Sequence, residues 1–279
     1  MESGLYVVAT PIGNLGDLSA RAVSVLQNAD LIAAEDTRHS QRLLQHYAIA
    51  TPLMAYHDHS DDRAIGKISA CLAAGGSVAL VSDAGTPLIS DPGYRLVRAM
   101  QDRGFPVRPV PGACAAVAAL SASGLATDRF LFEGFLPARA GARDNRLASL
   151  AQVTATLIFY EAPHRVAACL EAMAGAFGSE REAVLAREVT KTFETIRRGT
   201  LAELAEFVAG DSNQQKGEIV LLVAGSRADA TQVTAEIAAL LQRLAQELPA
   251  KTAAAVVADY TGLRKKVLYN FLLERKSLL

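Results

Sequence analysis

Short apolar runs alternate with amphipathic stretches through the first 225 residues, and no other feature constrains the fold of this chain as tightly. Apolar runs flanked by glycine, proline and small polar residues read as buried strands, and stretches with apolar residues three or four apart read as the helices that cover them. Strands are expected at Leu5–Ala9, Leu31–Glu35, Pro52–Tyr56, Ser77–Ser82 and Pro106–Val110, separated by helices at Leu18–Asn28, Thr37–Tyr47, Asp61–Ala74 and Gly93–Arg103. Such alternation builds a largely parallel sheet, because parallel neighbours need a crossover between them. This first α/β domain spans residues 1–122. A second, 123–225, has strands near Phe130–Phe135, Ala155–Tyr160, Glu182–Arg187 and Glu218–Ala224, with a short antiparallel addition at Phe193–Arg198. Its helices fall near Arg143–Leu150, Pro163–Phe177 and Leu201–Ala209. Beyond Gly225 the strand pattern stops, and Thr231–Glu247, Ala250–Tyr260 and Leu263–Lys276 read as three helices of a tail, residues 226–279.

With 51% apolar residues the chain can fill sizeable cores, which excludes a disordered protein. Cys71, Cys114 and Cys169 are widely spaced, so neither a disulfide framework nor a metal site is expected. No uncharged run approaches the roughly 18 residues of a membrane helix, and Met1–Gly4 lacks a basic leader; a cytoplasmic protein without membrane contact is expected. The net charge of −1 conceals an uneven distribution. From Ala250 to the end Lys251, Arg264, Lys265, Lys266, Arg275 and Lys276 stand against Asp259 and Glu274 alone.

Chemistry concentrates in the loops that leave the strands. Ser82-Asp-Ala-Gly-Thr-Pro-Leu-Ile-Ser-Asp-Pro-Gly93 follows a buried strand and is longer than the usual strand-to-helix connection of about two to six residues. Glycine there permits close approach of backbone to a ligand, and the carboxyl ends of strands are where open α/β sheets bind ligands. The loop Thr10-Pro-Ile-Gly-Asn-Leu-Gly-Asp-Leu-Ser19 is also glycine-rich, but matches neither the dinucleotide fingerprint nor a phosphate loop. A third loop, Val110-Pro-Gly-Ala-Cys-Ala115, has the same small-residue character. Together the three suit a small-molecule pocket.

Glu35-Asp-Thr-Arg-His-Ser40 packs two carboxylates, a guanidinium and an imidazole into one loop, and Asp36 equally suits a helix cap. His57, Asp58, His59 and Asp61 are polar loop residues without metal-ligand spacing. Lys191 and Glu194, in Arg187-Glu-Val-Thr-Lys-Thr-Phe-Glu194, meet only if that segment turns. Arg139, Arg143 and Arg146 form a basic cluster suited either to a solvated face or to phosphates. In the tail, Ala258 lies four residues before the turn glycine Gly262, the spacing of a helix-turn-helix, and Arg264, Lys265 and Lys266 open the following helix.

The motifs Val8–Leu18, Glu35–Arg38, Ser82–Gly93, Pro111–Ala113, Tyr160–Arg165, Arg187–Lys191 and Arg198–Leu201 resemble those of the bacterial small-subunit ribosomal RNA 2′-O-ribose cytidine methyltransferases, in the superfamily of tetrapyrrole methylases. The resemblance covers nearly the whole chain. It implies a two-domain α/β fold of the class III S-adenosylmethionine methyltransferase type with a helix-turn-helix-like extension, a homodimer, and methylation in the decoding centre. By the same resemblance Pro11, Gly13, Asp83, Ala84, Gly85, Thr86, Ser90, Pro111, Gly112 and Ala113 hold S-adenosylmethionine from the first domain, with Tyr160 and Glu161 from the second. Asp36, Arg38, Lys191 and Glu194 are the candidates for chemistry at the hydroxyl, and Arg139, Arg143, Arg146, Arg264, Lys265 and Lys266 for contacts to the RNA of the small subunit. Two rival readings are methylation of a tetrapyrrole or other small acceptor, and a helix-turn-helix DNA-binding regulator that senses a ligand.

Overall fold

The computed structural model describes residues 1–57, 62–226, 233 and 235–276, in two units, Met1–Gly225 and Ser226–Leu279. Asp58, His59 and Asp61 lie outside the described residues. The larger unit opens with β1 (Gly4–Val8), α1 (Ala20–Asn28), β2 (Leu31–Ala34), α2 (Thr37–His46), β3 (Leu53–Ala55), α3 (Asp62–Ala73), β4 (Ser77–Val81), α4 (Tyr94–Asp102) and β5 (Val107–Val110). These strands form a parallel sheet in the order β3-β2-β4-β1-β5. Tyr6, Val8, Ala79 and Val81 pack one face onto Leu26 of α1 and Leu44 of α2. Leu5, Val78 and Leu80 pack the other onto Ile68 of α3 and Met100 of α4. Burial on both faces explains why Leu5–Val8 of β1 and Val78–Val81 of β4 are apolar throughout rather than alternating.

The chain continues through α5 (Ala115–Ser123), β6 (Phe130–Phe135), α6 (Ala140–Leu150), β7 (Thr156–Glu161), α7 (Val166–Phe177), β8 (Glu182–Arg187), β9 (Thr195–Thr200), α8 (Leu201–Gly210) and β10 (Ile219–Val223). The second sheet runs β6-β7-β10-β8-β9; β6 and β7 are parallel, and the other pairs antiparallel. Phe159, Leu185 and Leu221 point to α6, α7 and α8, whereas Ile158, Val184 and Leu222 point to α5. Helix α5 went unread in the sequence because Ala115–Ser123 is small and apolar on every side, leaving no periodic polar face to detect. The antiparallel strand expected at Phe193–Arg198 begins two residues later, because the preceding segment is spent on a turn.

The smaller unit contains α9 (Ala235–Glu247), α10 (Ala250–Thr261) and α11 (Lys265–Lys276) around Leu241, Ala253, Val257, Leu268 and Leu272. Gly262 ends α10 at φ 73°, where its N–H donates to the Ala258 carbonyl at 2.8 Å. That left-handed stop is the turn glycine read from the sequence. Among the described residues no helix is long and apolar enough to cross a membrane.

Candidate active site

Strands β1 and β4 are neighbours, so the loops leaving their carboxyl ends meet. The Thr10 N–H donates to the Gly85 carbonyl at 2.8 Å, and the Gly85 N–H returns a bond to Thr10 at 3.1 Å. Gly85 sits at φ 81°, and a Cβ there would lie 3.3 Å from Ile12 Cγ2. Leu88 (φ 74°) and Ser90 (φ 64°) take the left-handed conformation without being glycine, a cost of about 1–3 kcal/mol each that a functional loop can carry. The Thr86 hydroxyl donates to the Ala113 carbonyl at 2.9 Å and so joins the third loop to the second.

A cavity of about 370 Å³ opens against these loops. Ile12, Ala84, Gly85, Thr86, Ile89, Ser90, Asp91, Cys114 and Ala115 form one wall; Phe135, Tyr160–Pro163, Val189 and Gly217–Val220 form the other. The Tyr160 hydroxyl accepts from the Ala116 N–H at 3.1 Å, tying β7 to the first turn of α5. Burial pushes the Tyr160 phenol well above its ordinary range, with the Cys114 thiol alongside adding to the effect. Burial likewise raises the Asp91 carboxyl, Ser82 opposing and Asp83 reinforcing the shift. Glu161 is held by its own surroundings: its side chain is fully buried, with Oε1 at 2.8 Å from the Ala162 N–H and 3.1 Å from Arg165 Nε. Arg165 also donates to the Leu136 carbonyl at 2.8 Å.

A second cavity of about 330 Å³ shares Ile12, Ala84 and Glu218 with the first. Thr10, Pro11, Gly13 and Leu15 line it from the first loop, His39, Ser40, Arg42 and Leu43 from α2, and Ser82, Asp83 and Lys191 complete it. The Glu188–Glu194 segment does turn, with Glu188 at φ 51° and Thr190 at φ 69°. Lys191 Nζ thereby reaches Glu188 Oε1 at 2.8 Å and Glu218 Oε2 at 3.1 Å. Burial works against the Lys191 ammonium, but the hydrogen bonds to these two carboxylates outweigh it, so its pKa lies above the ordinary lysine value. A Cβ on Gly13 would collide with the Lys191 stem, and one on Gly217 with the Glu188 carboxylate. Both glycines are therefore required by the close packing of this ion cluster.

Other site residues expected from the sequence take different places. Asp36 caps α2, its carboxylate accepting from the Arg38 N–H at 2.8 Å and the His39 N–H at 3.4 Å, and these bonds lower its pKa. The Arg38 side chain is 92% exposed beside it. Glu194 turns back within its own loop, where its carboxylate accepts the Thr190 N–H at 2.7 Å. Pro111, Gly112 and Ala113 line neither cavity: Gly112 lies against Ala9, Ala113 receives Thr86, and Cys114 and Ala115 are the third loop's contribution to the wall. The largest omission in the sequence reading is Gly217–Val220. Its local signal is a Lys-Gly-Glu triplet directly before an apolar run, and it reaches the cavity because β10 runs antiparallel to β7 and meets the cavity at its beginning.

Residues 4–205 match the family described as Tetrapyrrole (Corrin/Porphyrin) Methylases, and residues 231–276 match the RsmI C-terminal HTH domain. The chain is 57% identical to the Ribosomal RNA small subunit methyltransferase I of Pseudomonas aeruginosa, with 99% of each chain covered. The chain belongs to the ribosomal RNA small subunit methyltransferase I family. The member from Vibrio cholerae is 53% identical over 97% of this chain and 94% of its own. In fold the chain is similar to the uroporphyrin-III C-methyl transferase of Thermus thermophilus complexed with S-adenyl homocysteine, at a TM-score of 0.55 and 18% identity over 79% of this chain and 97% of that one.

In this methyltransferase I chain the basic residues differ in availability. Arg146 is forked onto Glu133 at 2.6–2.9 Å, and the Arg143 side chain is only 15% exposed beside Asp144. Arg139 stands exposed at the start of α6. Within the smaller unit Arg264, Lys265 and Lys266 are all exposed at the start of α11.

Proposed function

We propose that this chain transfers a methyl group from S-adenosylmethionine to the ribose 2′-hydroxyl of a cytidine in the decoding centre of small-subunit ribosomal RNA. One observation carries the reading: two contiguous cavities, one walled by glycine-rich loops and the other holding a lysine, occur in a chain 57% identical to a Ribosomal RNA small subunit methyltransferase I. S-adenosylmethionine, when bound, supplies a methyl group activated by a positively charged sulfur. The first cavity fits such a group. Its volume is in the range of small-molecule sites, its walls are chiefly apolar, and Gly85, at φ 81°, contributes to the wall.

Ala84, Gly85, Thr86, Ser90, Tyr160 and Glu161 hold the methyl donor in this reading, and Pro11, Gly13 and Asp83 border the acceptor side. Lys191, fixed between two carboxylates, supplies a cation beside the oxygen on which charge develops. Asp36 positions α2, and Arg38 faces the approach of the RNA. Arg139 contacts phosphate, as do Arg264, Lys265 and Lys266 at the start of α11, and affinity for the subunit accordingly falls with salt. Arg143 and Arg146, already engaged, support the α6 surface. The protein acts in the cytoplasm as a homodimer; exposed Val117, Phe130 and Ile196 offer apolar surface to a second copy, and sedimentation measures that state.

Gly85→Val is expected to raise the S-adenosylmethionine dissociation constant by about tenfold or more, through strain at positive φ and contact with Ile12. Calorimetric titration checks it. The function itself is tested by offering small ribosomal subunits and a porphyrinoid as competing acceptors. Label in RNA supports the proposal, and label in the porphyrinoid alone contradicts it.

A further inference from the structure

We infer that Glu218 is the proton acceptor for the attacking ribose hydroxyl; the inference rests on the functional reading above and names a residue for its chemistry. The proton must be lost where methyl donor and hydroxyl meet, which is where the two cavities join. Three residues line both, Ile12, Ala84 and Glu218, and of these only Glu218 carries a titratable side chain.

The other groups considered for this chemistry are committed elsewhere. The Asp36 carboxylate accepts two backbone N–H groups, Asp83 Oδ1 accepts the Asp36 N–H at 3.1 Å, and Glu194 accepts that of Thr190. Lys191 is a cation between two carboxylates and has no lone pair to offer. The Glu218 side chain is 70% exposed, and one of its oxygens lies 3.1 Å from Lys191 Nζ. Its backbone is fixed: the Glu218 N–H donates to Glu188 Oε1 at 2.9 Å, and the Glu188 N–H donates to the Glu218 carbonyl at 2.9 Å. The carboxylate is thus accessible to substrate on a rigid base at the start of β10.

In the step, the oxygen–methyl bond forms as the methyl–sulfur bond breaks, its electron pair remaining on sulfur. The hydroxyl proton passes to the second carboxylate oxygen of Glu218. A sulfonium and a carboxylate become a neutral thioether and a carboxylic acid, so charge and protons balance. A carboxylate is basic enough, because the proton leaves ahead of full methyl transfer and the negative charge developing on the oxygen is stabilised by the adjacent Lys191 ammonium.

The test is single-turnover methylation of small ribosomal subunits by Glu218→Gln and Glu218→Ala, with calorimetric titration of S-adenosylmethionine into each variant. Expected is a rate loss of about 10²–10⁴-fold for both. The dissociation constant should stay within about twofold of wild type, and added formate should recover part of the Glu218→Ala rate. Glu218→Gln at a rate within roughly threefold of wild type overturns the inference, as does a rate loss matched by an equal loss of S-adenosylmethionine affinity. Failure of formate to rescue Glu218→Ala also counts against it. Wild-type protein that leaves the subunit unlabelled is a failure of the functional reading and takes the inference with it, whereas active Glu218→Gln beside active wild type overturns the inference alone.

Discussion

Lys191→Met is expected to slow single-turnover methyl transfer by about 10²–10³-fold while leaving S-adenosylmethionine affinity unchanged, because it removes a preorganised charge from the acceptor side only. Methionine preserves much of the stem that lies over Gly13, so the loss isolates the ammonium. Without it, Glu188 and Glu218 are left as like charges around the vacated position. The pH behaviour of the cluster follows from two opposite shifts. Burial opposes ionisation of Glu188, but hydrogen bonds from Lys191 and the Glu218 N–H outweigh it and hold its pKa below the ordinary glutamate value. Its contribution to stability is therefore present above the ordinary glutamate range and is lost as pH falls through the depressed value. Lys191, raised, contributes fully below the ordinary lysine value and loses that contribution only as pH rises through its elevated one. The pair is intact across neutral pH, and the acid limb of the stability curve should shrink in Lys191→Met. An unchanged transfer rate in that variant would remove Lys191 from the chemistry.

Glu161→Ala is expected to destabilise the larger unit by about 3–5 kcal/mol, the cost of leaving a buried ionic partner without its counter-charge. Glu161 has no exposed side-chain surface, and Arg165 is only 22% exposed. Removing the carboxylate strands the guanidinium against two carbonyls, Leu136 at 2.8 Å and Pro137 at 3.3 Å, which do not neutralise it. The Ala162 N–H loses its acceptor at the same time. Because this ion pair fixes the Tyr160–Pro163 edge of the first cavity, weaker S-adenosylmethionine binding should accompany the lost stability. Urea denaturation measures the first effect and calorimetry the second. A loss below about 1 kcal/mol would place the Glu161–Arg165 pair among those that contribute little.

The parallel half of the fold was legible because its strands are buried on both faces and punctuated by glycine and proline. The expected β1, β2, β4 and β5 agree with the observed strands to within a residue or two at each end. The loop Ser82–Gly93 was legible for the same reason, and Ala84, Gly85, Thr86 and Ser90 do line the first cavity. What stayed hidden depends on pairing between distant segments. Strand β10 runs antiparallel to β7, with Ile219 opposite Glu161, so its beginning rather than its end meets the cavity. Local sequence carries no record of that direction, and Gly217–Val220 were missed on that account. The sequence left Asp36 open between a cap and a chemical role, and the pairing of Arg146 with Glu133 was hidden, since both depend on geometry that composition does not specify.

The most direct test of the proposed chemistry is incubation of the protein with methyl-labelled S-adenosylmethionine and small ribosomal subunits lacking this modification, followed by nucleoside mass mapping. Expected is one labelled nucleoside, a cytidine carrying the methyl group on its ribose, absent when Lys191→Met replaces the wild type at matched time. Label on a base, or none in any ribose, would contradict the assignment of the two cavities to methyl donor and ribose hydroxyl.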